Sequence, residues 1–205
     1  MNPQAMFNIS YGLYVLTANL EGKDNGCIIN TVTQVTSDPQ QITIAVNKSN
    51  YTRDMIAASK KFTASIISQE ADFELFKRFG FQSGRTADKF AGFTAARRLP
   101  NEAMLITEGT NAYISGYVTQ EIDLGSHTLF IASVTDMDVL NNTPAATYAY
   151  YHKSIKPQPK PAAPSGKTVW RCRICGYEYE GEELPPDFIC PLCKHPASDF
   201  EKVSG

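Results

Sequence analysis

Two cysteine pairs, Cys172-Arg173-Ile174-Cys175 and Cys190-Pro191-Leu192-Cys193, constrain this chain more than any other feature. They place four of its five cysteines within 22 residues, and the 171 residues before them hold only Cys27. So uneven a distribution argues against a disulfide scaffold and for a small metal module attached to a larger domain. Each C-x-x-C can wrap one face of an ion, and Gly176 eases the turn after the first pair. Two such loops give tetrahedral S₄ coordination, which suits zinc or iron. A [4Fe–4S] cluster would use a tighter cysteine run. The tail, residues 167–205, is too short to fold on an apolar core alone, so the metal supplies much of its folding free energy.

The remaining 166 residues carry the composition of a folded protein, 42% hydrophobic and 20% charged over the whole chain. A net charge of −2 gives no basic footprint for nucleic acid or an anionic membrane. No apolar run is long enough to span a bilayer, and residues 1–10 lack the pattern of a secretory signal. A cytoplasmic location is expected, where thiols stay reduced and available as metal ligands. Residues 156–166, KPQPKPAAPSG, hold four prolines and no apolar periodicity. They read as a semi-rigid linker, at about 3.1 Å per residue in extended form. The domains are therefore expected at 1–155 and 167–205.

Strand-length runs of β-branched and aromatic residues occupy 13–18, 26–35, 42–46 and 62–67, with two more at 112–122 and 128–134. The last two flank Asp123-Leu124-Gly125-Ser126, which reads as a hairpin turn. Helical spacing covers 52–58 and 71–79, with Phe73, Phe76 and Phe79 at three-residue intervals. Many strands and few helices predict a mainly β fold, a barrel with short helices.

Three segments of this domain carry chemistry. Asn25-Gly26-Cys27-Ile28-Ile29-Asn30-Thr31 runs from a turn into a strand. Val46-Asn47-Lys48-Ser49-Asn50-Tyr51-Thr52 lies between a strand and a helix, where free N–H groups and the helix dipole favour an anion. Ser83-Gly84-Arg85 and Lys89 combine flexible backbone with two cations. Each has a plainer reading: a turn at Asn25-Gly26, a helix cap at Asn50, solvated charges at Arg85 and Lys89. Cys27 reads as a buried, inert thiol, since no neighbour in sequence argues for a lowered pKa.

Residues 170–181 and 184–193, followed by Asp199-Phe200-Glu201, resemble rubredoxin, in the compact form fused to rubrerythrins. The aromatic set Trp170, Tyr177, Tyr179, Phe188 and Phe200 and the Cys-Gly-Tyr and Cys-Pro-x-Cys contexts carry that resemblance. It implies one Fe(Cys)₄ centre on Cys172, Cys175, Cys190 and Cys193, with a structural zinc ribbon as the alternative. The three chemical segments, in order with Ile9–Thr17, Asp88-Lys89-Phe90, His127–Ile131 and Thr147–His152, resemble the FMN-binding split-barrel flavin reductase family. That resemblance implies a split β-barrel, one FMN per subunit and a homodimer. Asn30 and Thr31 would line the ring and ribityl chain. Asn47, Lys48, Asn50 and Thr52 would hold the ribityl and phosphate groups. Ser83, Gly84, Arg85 and Lys89 would complete the pocket, and Tyr151 and His152 would approach the ring.

Many flavin reductases carry Gly-Asp-His where this chain reads Gly125-Ser126-His127, so the pyridine nucleotide site departs from the pattern; His127 itself reads as structural. The two resemblances together imply an NAD(P)H-dependent oxidoreductase that moves electrons from flavin to its own iron. Its partner would be a flavodiiron oxygen- or nitric-oxide-reducing protein in a stress response. The alternatives are a carrier reduced by a separate reductase, or a flavoprotein whose tail is a zinc-ribbon interaction module.

Overall fold

The computed structural model describes residues 1–157, 168–173, 176–191 and 196–204. Most of the linker expected at 156–166 falls outside these residues, as do Cys175 and Cys193. The chain divides into two compact units, Met1–Ile155 and Lys156–Gly205.

The first unit is built on a seven-stranded sheet. Its strands are β1 (Tyr14–Leu20), β2 (Lys23–Ile29), β3 (Val32–Ser37), β4 (Gln40–Asn47), β5 (Lys61–Ile67), β8 (Thr110–Asp123) and β9 (His127–Val139). A hairpin of β6 (Ala96–Arg98) and β7 (Met104–Ile106) stands apart. The sheet order is β2-β1-β5-β8-β9-β4-β3 with antiparallel pairing. Side chains alternate faces along a strand, and here the alternation sorts the core in two. Leu16 and Ala18 of β1, Cys27 and Ile29 of β2, Ile42, Ile44 and Val46 of β4, Phe62 of β5 and Phe130 and Ala132 of β9 form one cluster. Strands from both ends of the sheet order meet in it, so the sheet is curled into a barrel around that face. The helix α1 (Tyr51–Ser59) adds Met55 and Ile56 to the same cluster. Leu13, Val15 and Ile67 point the other way, where α2 (Phe73–Gly80) covers them with Leu75, Phe76 and Phe79.

The run expected as one strand over 26–35 is two. β2 ends at Ile29 and pairs with β1, while β3 starts at Val32 and pairs with β4. The bend at Asn30-Thr31 therefore carries the chain between the two edges of the sheet. No glycine or proline marks it, so β-propensity runs straight through. The strands of the 123–126 hairpin extend further than expected, to Thr110 and Val139.

The second unit holds a small sheet in the order β11-β10-β12, made of β10 (Val169–Cys172), β11 (Glu178–Glu180) and β12 (Phe200–Ser204). The first unit ends in the short α3 (Tyr148–Tyr150) and a π-helical turn, Tyr151–Ile155.

Candidate functional site

The end of β4 and the start of α1 form a polar shelf. Asn47 Oδ1 accepts from Ser49 N and Ser49 Oγ at 2.9 and 2.8 Å, and Asn50 N donates to Asn47 O at 3.0 Å. This tight turn delivers Asn50 to the cap position of α1, yet its side chain makes no capping bond. The helix end is left without a side-chain acceptor. Lys48 N donates to Ser126 O, and Lys48 Nζ reaches Asp123 Oδ1 at 2.6 Å, tying the shelf to the 123–126 turn. That bridge and a bond from Gly125 N hold the Asp123 carboxyl below its usual range. Across the shelf, Thr31 Oγ1 donates to Ala45 O at 2.7 Å, which fixes the β2–β3 bend beside β4.

The third segment folds against the same helix. Ser83 O accepts from Thr86 N and Ala87 N, coiling the loop so that exposed Arg85 pairs with Asp54 of α1. The Arg85 guanidinium also lies over the Tyr51 ring, 5.1 Å from its centroid, and Lys23 Nζ lies over that ring at 4.8 Å. A cleft of ≈ 380 Å³ opens alongside, lined by Lys23, Gly84, Arg85, Asp88 and Phe90 among others. Asn30, Thr31, Asn47, Lys48, Asn50, Ser83 and Arg85 are thus at least partly exposed around the start of α1.

Two of the residues expected in the flavin pocket are buried. Thr52 is 0% exposed and accepts from Asn25 Nδ2 at 3.0 Å, so it stands behind the shelf. Lys89 is 2% exposed, and its ammonium donates to Gly26 O at 2.8 Å and Phe79 O at 3.0 Å. It ties β2 to α2 and is no surface cation; burial pulls its pKa down. Tyr151 and His152 join another aromatic set. Tyr151 packs 4.4 Å from Phe76, and exposed His152 meets Tyr148 edge-on at 4.6 Å. Sequence reasoning missed Lys23 and Tyr51 as neighbours of Arg85; nothing in their local pattern marks them.

Cys27 faces the barrel core at 2% exposure. Burial pushes its thiol pKa up, outweighing Thr52, Lys89 and Asn50, which favour the thiolate. His127 is half-buried, its Nδ1 2.9 Å from Ser126 Oγ.

In the second unit Cys172 and Cys190 are 1% and 0% exposed. The first knuckle turns at Gly176 (φ +80°), whose N–H donates to Cys172 O at 2.9 Å, while Cys172 N donates to Tyr177 O at 2.8 Å. A side chain at Gly176 would strain that left-handed turn. Phe188 packs on Phe200 and Tyr179 at 5.3 and 4.8 Å, and Trp170 Nε1 donates to Gly181 O at 3.2 Å. Buried Cys172 at a tight turn and buried Cys190, in a unit with an aromatic wall, are soft donors that fit a thiolate metal centre.

The chain belongs to the flavin reductase like domain family, which it matches over residues 6–158, and residues 170–201 match the rubrerythrin, rubredoxin-like domain. It is a flavin reductase-type oxidoreductase with a rubredoxin-like tail. Among its relatives, high molecular weight rubredoxin from Moorella thermoacetica is 35% identical over 99% of this chain and 100% of its own length. Ferric-chelate reductase (NAD(P)H) from Archaeoglobus fulgidus is 38% identical over 74% of this chain and 89% of that one. Among solved structures, flavin reductase PheA2 in its native state superposes with a TM-score of 0.59 at 26% identity, covering 72% of this chain and 93% of that chain.

Proposed function

We propose that this chain is an NAD(P)H-dependent FMN oxidoreductase that delivers electrons through its own rubredoxin-type iron to a redox partner. The partner class we favour is a flavodiiron oxygen- or nitric-oxide-reducing protein. The observation that carries the reading is one chain bearing both a polar shelf at a helix start without a side-chain cap and two buried cysteines, Cys172 on a tight turn and Cys190. Bound FMN would accept an electron pair from a hydride donor and release it singly, and an Fe(Cys)₄ centre would carry one electron at a time.

The chain's residues supply position and charge. In this reading the open end of α1, Asn50 and Lys48 hold the phosphate. Asn30, Thr31 and Asn47 would line the ribityl chain and ring edge, and Ser83 and Arg85 would complete the pocket at the phosphate end. Lys48, paired with Asp123 in this structure, would supply a positive charge for the phosphate. Cys172, Cys175, Cys190 and Cys193 hold the metal, and the aromatic wall keeps water from it. The flavin domain spans 1–155, the linker 156–166 and the metal domain 167–205, with a homodimer formed through the flavin domain in the cytosol. No helix among the described residues is long and apolar enough to cross a membrane.

The test is the absorbance spectrum of the purified chain with metal and flavin analysis, followed by anaerobic addition of NADH or NADPH. One FMN and one iron per chain, both bleached by the nucleotide, support the reading. Stoichiometric zinc in place of iron makes the tail a structural ribbon and overturns electron delivery through it.

A second reading is favoured by the 123–126 turn. There the carboxylate is Asp123, engaged by Lys48 and Gly125 N, and Ser126 stands next to His127. A chain that lacks a working nucleotide subsite would be an electron carrier reduced by a separate reductase. Rapid bleaching by NADH or NADPH alone rules that out.

A further inference from the structure

We infer that Asn25 is a positioning residue that assembles the phosphate end of the flavin seat, an inference that rests on the flavin reading above. Asn25 lies on β2 and is 1% exposed, so no ligand touches it. Its amide is held between the two segments that must converge on a phosphate. On one side Nδ2 donates to Oγ1 of Thr52, in the first turn of α1, at 3.0 Å. On the other side the loop backbone passes directly over it at Gly84. A Cβ on Gly84 would fall 2.2 Å from Asn25 Oδ1, 2.4 Å from Cγ and 2.6 Å from Nδ2.

No real Cβ contact is that short, so the loop can lie here only as glycine. The Asn25 amide thus sets the depth of the loop, and with it the places of Ser83 and Arg85 on either side of Gly84. A second, exposed tie runs parallel to the buried one: Arg85 pairs with Asp54 and lies over Tyr51, both in the first turn of α1. An exposed ion pair contributes little alone, which leaves the buried amide to hold loop and helix in register.

The part of the ligand that feels this register is the part reached from helix start and loop together, the phosphate monoester. The ring and ribityl chain rest on Asn30, Thr31 and Asn47, which Asn25 does not hold. Riboflavin shares the ring and ribityl chain and lacks the phosphate, so the FMN-to-riboflavin affinity ratio reads Asn25 separately from general packing.

The experiment measures FMN and riboflavin binding to the full chain after flavin exchange, for wild type, Asn25→Ala, Gly84→Ala and Thr52→Val. Thr52→Val keeps the side-chain shape and removes the hydroxyl, including the acceptor for Asn25, so that one of the three variants leaves the packing in place. Each variant should lose roughly tenfold or more in FMN affinity, about the effect of one lost charge-assisted or buried hydrogen bond. Riboflavin binding should change little. Equal weakening of both flavins, or an unchanged ratio in the folded variants, overturns the inference. A wild-type chain with no preference for FMN over riboflavin overturns the flavin-phosphate reading itself, and this inference with it.

Discussion

Cys27 shows how an inner-facing side chain gains its chemistry from neighbours far away in sequence. Its position on β2 places the thiol in the barrel core beside Thr52, Lys89 and Asn50. Burial raises its pKa despite those neighbours, so the folded chain keeps the thiol proton to a higher pH than the unfolded chain does. The sign follows: this contribution to stability is complete below the ordinary thiol range and declines as pH rises through it. At a pH of about 8.5, where a free thiol is half ionised, iodoacetamide should label Cys27 in urea and leave it unmodified in the native protein. Mass mapping of the labelled peptides checks this, and native labelling at the free-thiol rate would contradict it. The sequence alone supports the inert reading of Cys27, since no neighbour in sequence argues for a lowered pKa. It does not reveal that Thr52 and Lys89 are enclosed beside it. A threonine in a helix's first turn and a lysine in a polar loop carry no local mark of burial; both are drawn in by partners on β2, Asn25 and Gly26.

At the level of elements, helix starts decide more than strand patterns. α2 begins at Phe73 because Asp72 caps it, its Oδ1 accepting from Leu75 N at 3.0 Å. Asp72→Ala should destabilise the first unit by about 1 kcal/mol, read as a shift in its urea midpoint with unchanged slope. A shift of under a few tenths would show that α2 is held by Phe76 and Phe79 alone. α1 is the counter-case, since Asn50 stands at the cap position and leaves the helix end open. A cap-type residue was legible there; that its side chain turns to Cys27 on β2 and makes no cap bond was not, because Cys27 is distant in sequence. The strands of β1, β4 and β5 were legible from alternation, as in β4, where Ile42, Ile44 and Val46 face inward. The break at Asn30-Thr31 was not, because tertiary pairing with two opposite sheet edges sets it.

At the scale of the whole molecule, the two units have separate cores. On the proposed reading Cys172→Ser should unfold the tail, since a bound metal would stabilise so small a unit, and leave flavin bound to the first. Flavin retention after gel filtration and protease sensitivity confined to residues after 155 are the expected signs; loss of flavin would show that the units depend on one another. Charge follows the same division: residues 167–205 carry 5 basic and 7 acidic groups, the first 166 carry 14 of each. Four thiolates around iron would add to the tail's negative charge and give it a docking feature for a partner. On the proposed reading, a linker over 156–166 would make flavin-to-iron transfer a reaction within one chain, at an effective concentration on the order of millimolar. The most direct measurement is anaerobic stopped-flow mixing with excess NADH or NADPH, following flavin and ferric-thiolate absorbance over a tenfold range of protein concentration. The account predicts that flavin bleaches first and iron follows at a rate independent of protein concentration. Flavin bleaching with the iron left ferric, or iron reduction that scales with protein concentration, would contradict it.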